Sequence, residues 1–258
     1  MKITGNTILI TGGGSGIGRA LAEALHKLGN HIIIAGRRKQ VLDDTTAANP
    51  GMSSALLDIE DPVNIQKFAA QLATDHPALN VVIHNAGIMR PEDLLHHPKE
   101  AVSSAEATIT TNLLGPIRLT AALLPQLQKQ PHATIMTVTS GLAFIPMAIT
   151  PTYNATKAAI HSWTQSLRYQ LRSTRIEVLE LVPPYVQTEL MGAAQAADPR
   201  AMPLAEFISE AIHLIKTQPN ATEILVERVK PLRFSEHGGK EKYDAFFKQF
   251  NDARMAPH

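Results

Sequence analysis

One short segment constrains this chain more than any other. Thr11-Gly12-Gly13-Gly14-Ser15-Gly16-Ile17-Gly18 joins an apolar, β-branched run, Thr7–Thr11, to an amphipathic stretch over residues 17–28 that stops at Gly29. A strand that turns through glycines straight into a helix has a physical purpose. Glycine permits positive φ, lets backbone approach a pyrophosphate and packs the helix against the strand. The helix N-terminus then presents free N–H groups and a favourable dipole to an anion. The spacing Gly12-x3-Gly16-x-Gly18 is not the GxGxxG form. Nor is it a Walker A loop, because Gly13-x4-Gly18 is followed by Arg19-Ala20, where Lys and Ser/Thr are required. Position after the first strand makes Gly12, Gly14, Ser15, Gly16, Ile17 and Gly18 candidates for nucleotide binding; a plain structural turn is the competing reading.

The rest of the chain repeats the strand–helix alternation. Further strands are predicted over residues 31–35, 54–57, 81–84, 133–139, 175–182 and 223–227. Helices are predicted over 38–48, 62–75, 105–128, 151–172 and 204–217, with Pro62 and Pro151 in first turns and Thr150 as an N-cap. The strands are almost unbroken in hydrophobicity, as expected when a parallel sheet is covered on both faces. The expected fold is α/β: a doubly wound, seven-stranded parallel sheet with helices on both faces, built by right-handed crossovers. No linker or repeat divides it, so residues 1–233 read as one domain and 234–258 as a tail. In that tail Tyr243, Phe246, Phe247 and Phe250 share one helix face, which suits docking on the body or on a sister subunit.

Composition removes several functions. Among 258 residues there is no cysteine, which excludes disulfides, thiolate metal sites and cysteine nucleophiles. The histidines show no metal-ligand spacing, so no metal is expected. The net charge is only +1, so no basic field points to nucleic acid. No long uncharged apolar run predicts a membrane span. Too few residues precede the glycines for a signal peptide, so a cytoplasmic location is expected.

The second strand ends in Gly36-Arg37-Arg38. Folds selective for NAD place Asp or Glu here for the ribose 2′-OH. Two guanidiniums, with their planar donor forks, suit a 2′-phosphate instead. The expected cofactor is therefore NADP(H) rather than NAD(H). The alternative is a solvated basic helix start, which the helix dipole disfavours.

Of four tyrosines only Tyr153 has a lysine four residues on, Lys157. On a helix the pair shares a face. A nearby ammonium stabilises phenolate, so Lys157 is expected to lower the Tyr153 pKa and make it a usable acid/base. A surface Tyr–Lys pair is the bland alternative.

These motifs stand in one order: the glycine turn, Asp58, Asn85-Ala86-Gly87, Asn112, Ser140, Tyr153 and Lys157. In that order the chain resembles a classical short-chain dehydrogenase/reductase over roughly residues 5–230, and its Ser140-Gly141-Leu142-Ala143-Phe144 stretch resembles the DltE-like subgroup. The resemblance implies a Rossmann-type fold and a set of roles. Tyr153 would exchange a proton with the substrate oxygen, which Ser140 holds. Lys157 would bind the nicotinamide ribose, and Asn112 would support a water linking Lys157 to solvent. Asp58 and Ile59 would meet the adenine, while residues 85–87 support sheet and cofactor. Pro183, Val186 and Thr188 would border the nicotinamide. The implied activity is NADPH-dependent, reversible reduction of a small-molecule ketone or aldehyde by a homo-oligomer, dimer or tetramer. The alternatives are 3-oxoacyl thioester reduction and a non-catalytic NADP-binding sensor.

Several features sit beside that resemblance. Pro116 lies four residues after Asn112, has no N–H, and so removes the usual helical partner of the Asn112 carbonyl, leaving it for water; a simple kink is the other reading. His84 stands where Asn often precedes residues 85–87, and Tyr185 where Gly often follows proline. The strand expected at 223–227 lacks the usual glycine-rich continuation. Residues 186–203 read as a mobile substrate loop, with Phe144, Ile145, Met147 and Leu190 as apolar pocket candidates.

Overall fold

A computed structural model describes residues 1–255. Seven parallel strands run in the order β3-β2-β1-β4-β5-β6-β7. They are β1 (Thr7–Thr11), β2 (His31–Gly36), β3 (Ser53–Leu56), β4 (Leu79–His84), β5 (Ala133–Val138), β6 (Ile176–Val182) and β7 (Glu223–Leu225). The helices are α1 (Gly16–Lys27), α2 (Lys39–Ala48), α3 (Pro62–Asp75), α4 (Pro98–Ile109), α5 (Gly115–Leu127), α6 (Pro151–Gln170), α7 (Ala193–Ala197), α8 (Leu204–Thr217), α9 (Lys230–Arg233) and α10 (Lys240–Met255). This is the expected Rossmann-type single domain.

Strand side chains alternate between two cores. Ile8, Ile10, Ile32 and Ile34 face one, with Leu21, Leu25 and Phe207 from α1 and α8. Leu9, Ile33, Val82 and Ile135 face the other, with Phe68, Leu119 and Leu123 from α3 and α5. Both faces are covered over the centre of the sheet, which is why β1, β2 and β4 are largely apolar on both sides; edge strand β3 is the more exposed. The strand order reverses between β1 and β4, the place where such sheets open a ligand crevice at their carboxyl ends.

Three expectations change. The single helix expected over 105–128 begins earlier, at Pro98, and is interrupted by a wider, π-type turn, Thr110–Leu114. The early part was missed because it buries only small residues, Ala101, Ser104 and Thr108. Thr150 precedes α6, but its hydroxyl makes no cap to the helix N–H groups; it turns to Asn154 Oδ1 at 3.4 Å. β7 ends at Leu225 rather than 227, because the chain turns at Glu227, whose N–H donates to Glu210 Oε1 at 2.6 Å.

The aromatic tail forms α10 and docks on its own body. Tyr243 Oη donates to Phe144 O at 3.3 Å, and Asn251 accepts from Ala148 N at 2.7 Å while donating to Pro146 O at 3.1 Å. It therefore braces the loop that follows Ser140. The last residues of the tail, 256–258, lie outside the described residues.

Candidate active site

Every candidate site residue but three follows the carboxyl end of a strand, so the topology gathers them on one rim. The exceptions, Asn112, Tyr153 and Lys157, come from the π-type turn and from α6. In the glycine turn, φ is +66° at Gly12 and +53° at Gly16, the left-handed region that glycine adopts freely. Gly18 is required by contact rather than by φ. A Cβ there would lie 2.3 Å from Asn85 Nδ2 and 2.4 Å from Gly12 O. Asn85 Nδ2 donates to Thr11 O at 3.0 Å and Gly12 O at 3.3 Å, locking the turn to the end of β4. Thr11 Oγ1 completes the lock by accepting from Asn85 N and Ala86 N at 3.1 and 3.0 Å. Ile17 packs partly buried against the adjoining core.

The turn fits a pyrophosphate. Ser15 precedes α1, yet its hydroxyl makes no cap to an α1 N–H; it accepts from Arg38 at 3.0 Å. The first turn of α1 carries no acid. The positive end of the helix is thus kept for an anion from outside the chain.

The two arginines divide. Arg38 reaches the glycine turn through Ser15. Arg37 pairs instead with Glu60 at 2.8 Å, and Thr111 Oγ1 donates to the same carboxylate oxygen at 2.8 Å. Asp58 organises the turn after β3, accepting from Glu60 N at 3.0 Å, while its own N–H donates to Asn64 Oδ1 at 2.9 Å. Ile59 is buried in the core beside Gly115, so only its backbone can face a ligand.

Ser140 follows the end of β5, Tyr153 and Lys157 stand on α6, and all three are buried. Leu142 N donates to Ser140 Oγ at 3.1 Å, which leaves the serine's own proton free to be donated. Lys157 Nζ donates to Val138 O at 2.8 Å and lies 5.5 Å from the Tyr153 ring centre. Burial holds the Tyr153 phenol up at about 12, with the Ser140 hydrogen bond pulling it down. Burial lowers Lys157 to about 8, opposed by the charge of Glu180. The expected lowering of Tyr153 by Lys157 is therefore corrected: the ammonium is turned to a strand carbonyl, and desolvation raises the phenol.

Asn112 is a clamp. Its Oδ1 accepts from Ile88 N and its Nδ2 donates to Ile88 O, both at 2.9 Å, and Nδ2 also reaches Thr156 Oγ1 at 3.2 Å. It ties the loop of Asn85, Ala86 and Gly87 to α6 between Tyr153 and Lys157. Gly87 allows the approach, since a Cβ there would stand 3.2 Å from Asn112 Oδ1.

The β6 end closes the rim. Pro183 O accepts from Gly141 N at 2.9 Å. Val186 bridges Met202, and Gln195 donates to Val186 O and Thr188 Oγ1 at 2.9 and 3.1 Å. Thr188 sits against Gly16, 3.6 Å from where a Cβ would be. The loop expected over 186–203 contains α7, and Tyr185 Oη donates to Asp198 at 3.2 Å. Two pocket candidates serve packing instead: Ile145 is fully buried, and Phe144 lies between His161 and Arg233.

The family model for short chain dehydrogenases matches residues 6–199. The chain belongs to the short-chain dehydrogenase family. It is 38% identical over 254 residues to the uncharacterized oxidoreductase DltE of Bacillus subtilis (strain 168), covering 97% of this chain and 98% of that one, so it falls in the DltE-like group of these oxidoreductases. Its fold also matches a short chain dehydrogenase from Burkholderia cenocepacia in complex with NADP (TM-score 0.79, 22% identity, all of both chains). A short-chain dehydrogenase/reductase from Burkholderia phymatum in complex with NAD matches as well (TM-score 0.77, 18% identity, 97% of each chain).

Sequence reasoning missed several residues of this short-chain dehydrogenase. Glu60 signalled itself only as an acid two residues past Asp58. Thr156 was hidden between Tyr153 and Lys157. A cluster of His161, Glu180 and Glu223, of which only Glu180 is fully buried, with ligand atoms within 4.8 Å of one another, had no signal at all, because α6, β6 and β7 bring it together.

Proposed function

We propose that this short-chain dehydrogenase catalyses the reversible, NADPH-dependent reduction of a ketone or aldehyde to its alcohol. The observation that carries the reading is the buried Ser140–Tyr153–Lys157 set, gathered by the sheet topology at the same carboxyl-end rim as a glycine turn that fits a pyrophosphate. Residues 12–18, Asp58, Ile59, Asn85, Ala86, Gly87, Pro183, Val186 and Thr188 would hold the cofactor, with Lys157 on its ribose and Arg38, backed by Arg37, on a 2′-phosphate. When bound, the reduced nicotinamide supplies the hydride.

The chain supplies the proton and the geometry. Ser140 holds the substrate oxygen, and Tyr153 donates its proton to that oxygen as it becomes an alkoxide. A phenol near 12 is protonated throughout the neutral range, so it stands ready as an acid. Lys157, held by Val138 O, would bind the nicotinamide ribose, and Asn112 keeps α6 and the β4 loop in register around it and Tyr153. Exposed Leu94, Leu95, Val102 and Ile109 along and before α4 support a homo-oligomer.

The test is a screen of NADPH and NADH consumption against ketones, aldehydes and acyl thioesters, with Tyr153→Phe as the control. Carbonyl-dependent NADPH consumption that Tyr153→Phe abolishes, with NADPH binding retained, is the expected result. Full activity in Tyr153→Phe, or consumption only with thioesters, overturns the reading.

A further inference from the structure

Tyr153, Lys157 and His161 follow one another at i, i+4 spacing on the sheet-facing side of α6. The proposed chemistry uses the first two. The third leads into a charged cluster that the chemistry leaves without a purpose. Glu180, in the middle of β6, has no exposed surface. A carboxylate in such a place is costly unless it is paired, so its partners define its role. Thr139 Oγ1 donates to Glu180 Oε1 at 2.7 Å, and His161 Nδ1 lies 2.9 and 2.8 Å from its two oxygens. Glu223, in register beside it on β7, is gripped by Arg233 at 2.6 and 3.0 Å. This donor set is not laid out for a metal ion. Thr139 and His161 already occupy Glu180, and a guanidinium already neutralises Glu223.

The cluster points instead at the end of β5. Thr139 immediately precedes Ser140, and Val138 O accepts from Lys157 Nζ at 2.8 Å. Glu180 thus grips the strand between the point that anchors Lys157 and the residue that holds the substrate oxygen. Its charge also opposes the loss of the Lys157 proton that burial favours.

We propose that Glu180 is a positioning residue for the Ser140–Tyr153–Lys157 set, its buried carboxylate anchoring Thr139 and, through His161, setting a negative charge against the turn of α6 that follows Lys157. His161 closes the carboxylate on the solvent side, through Gln165 at 3.1 Å. The other charged or titratable groups around the pair are Tyr153 and Arg168 on α6, Glu223 on β7 and Arg233 on α9. The catalytic half of this role rests on the carbonyl-reductase reading; the electrostatic half does not.

Glu180→Gln tests it, since the amide keeps an acceptor for Thr139 and removes only the charge. With 13C-labelled lysines, the Lys157 Cε signal is assigned by its loss in Lys157→Met and titrated without turnover. Its midpoint is expected to fall by about one unit in Glu180→Gln. The high-pH limb of carbonyl reduction falls by the same amount, with KM for NADPH unchanged. An unmoved Lys157 midpoint overturns the proposal. A moved midpoint in a protein that reduces no carbonyl compound supports the counter-charge and overturns the activity reading alone. Two further variants keep the proposal exposed should Glu180→Gln not fold. Glu180→Asp keeps the charge and must hold the midpoint near that of the parent. Thr139→Val keeps the charge and loses the grip, so it lowers kcat and leaves the midpoint in place. A moved midpoint in either variant overturns the assignment.

Discussion

His84 makes this protein sensitive to acid in a calculable way. It ends β4 just before Asn85 and is 4% exposed. Its Nε2 meets Thr120 Oγ1 on α5 at 2.8 Å, while Nδ1 is buried with no hydrogen-bond partner among the described residues. Burial alone pushes its pKa down from 6.5 to about 4. The native state therefore holds a neutral ring where the unfolded chain takes up a proton. The stability this contributes is intact above pH 6.5 and is lost as pH falls towards 4. From the two pKa values the loss is about 2 kcal/mol between pH 7 and pH 5 and about 3 kcal/mol by pH 4. Glu and Asp residues also protonate over this range, so the comparison must be a double difference. His84→Gln removes the titration and keeps an amide where Nε2 meets Thr120. Urea unfolding followed by the single tryptophan, Trp163, gives both stabilities at both pH values. The parent should lose about 2 kcal/mol more than His84→Gln on going from pH 7 to pH 5, whatever the variant costs at pH 7. Equal losses in the two proteins would show that the ring is not held neutral, and the argument from burial would fail.

The site geometry sets four further outcomes. Arg38→Ala should weaken NADPH binding, read by nucleotide fluorescence, more than Arg37→Ala does, because Glu60 already holds Arg37; NADH binding should change little in either. Gly18→Ala puts a Cβ 2.4 Å from a backbone carbonyl, so it should cost about 3 kcal/mol in urea unfolding and lower nucleotide affinity. Asn112→Leu strips the Ile88 N–H and C=O of their partners, and should cost about 2 to 4 kcal/mol in the same assay and reduce kcat. Pro116→Ala restores an N–H to the helix and should alter the pH profile of turnover; an unchanged kcat and profile would make the proline a structural kink only.

The sequence announced whatever depends on neighbours along the chain. The glycine turn, the βα alternation and the Tyr153–Lys157 pair all rest on local spacing, and the structure places them as that spacing implies. What it left unread depends on elements far apart. Arg37 and Arg38 look equivalent in sequence, and only the approach of the β3 turn gives Glu60 to one of them. The Tyr153 pKa was misjudged because i, i+4 geometry reports proximity and not burial, and burial decides the sign here. The Glu180 cluster needed three elements to meet. α7 was invisible for another reason: five residues rich in alanine carry no period long enough to read.

Asn112 shows how the two kinds of information join. Pro116 takes away the N–H that a regular helix would offer the Asn112 carbonyl, and this much is local. The chain responds by widening: the Gly115 N–H bonds five residues back, to Thr110 O, rather than four. Gly115 must itself be small, because a Cβ there would stand 2.5 Å from Ile59 Cγ1 and 2.8 Å from Ile59 O. The same helix is thus pressed against the β3 turn on one side. On the other it has to present Asn112 to Ile88 and Thr156, and a π-type turn changes the angle between residues before and after it. A helix without the wide turn would meet one of these demands and turn away from the other. The Gly115-Pro116 pair is therefore a condition of the clamp that holds α6, and with it Tyr153 and Lys157, against the end of β4.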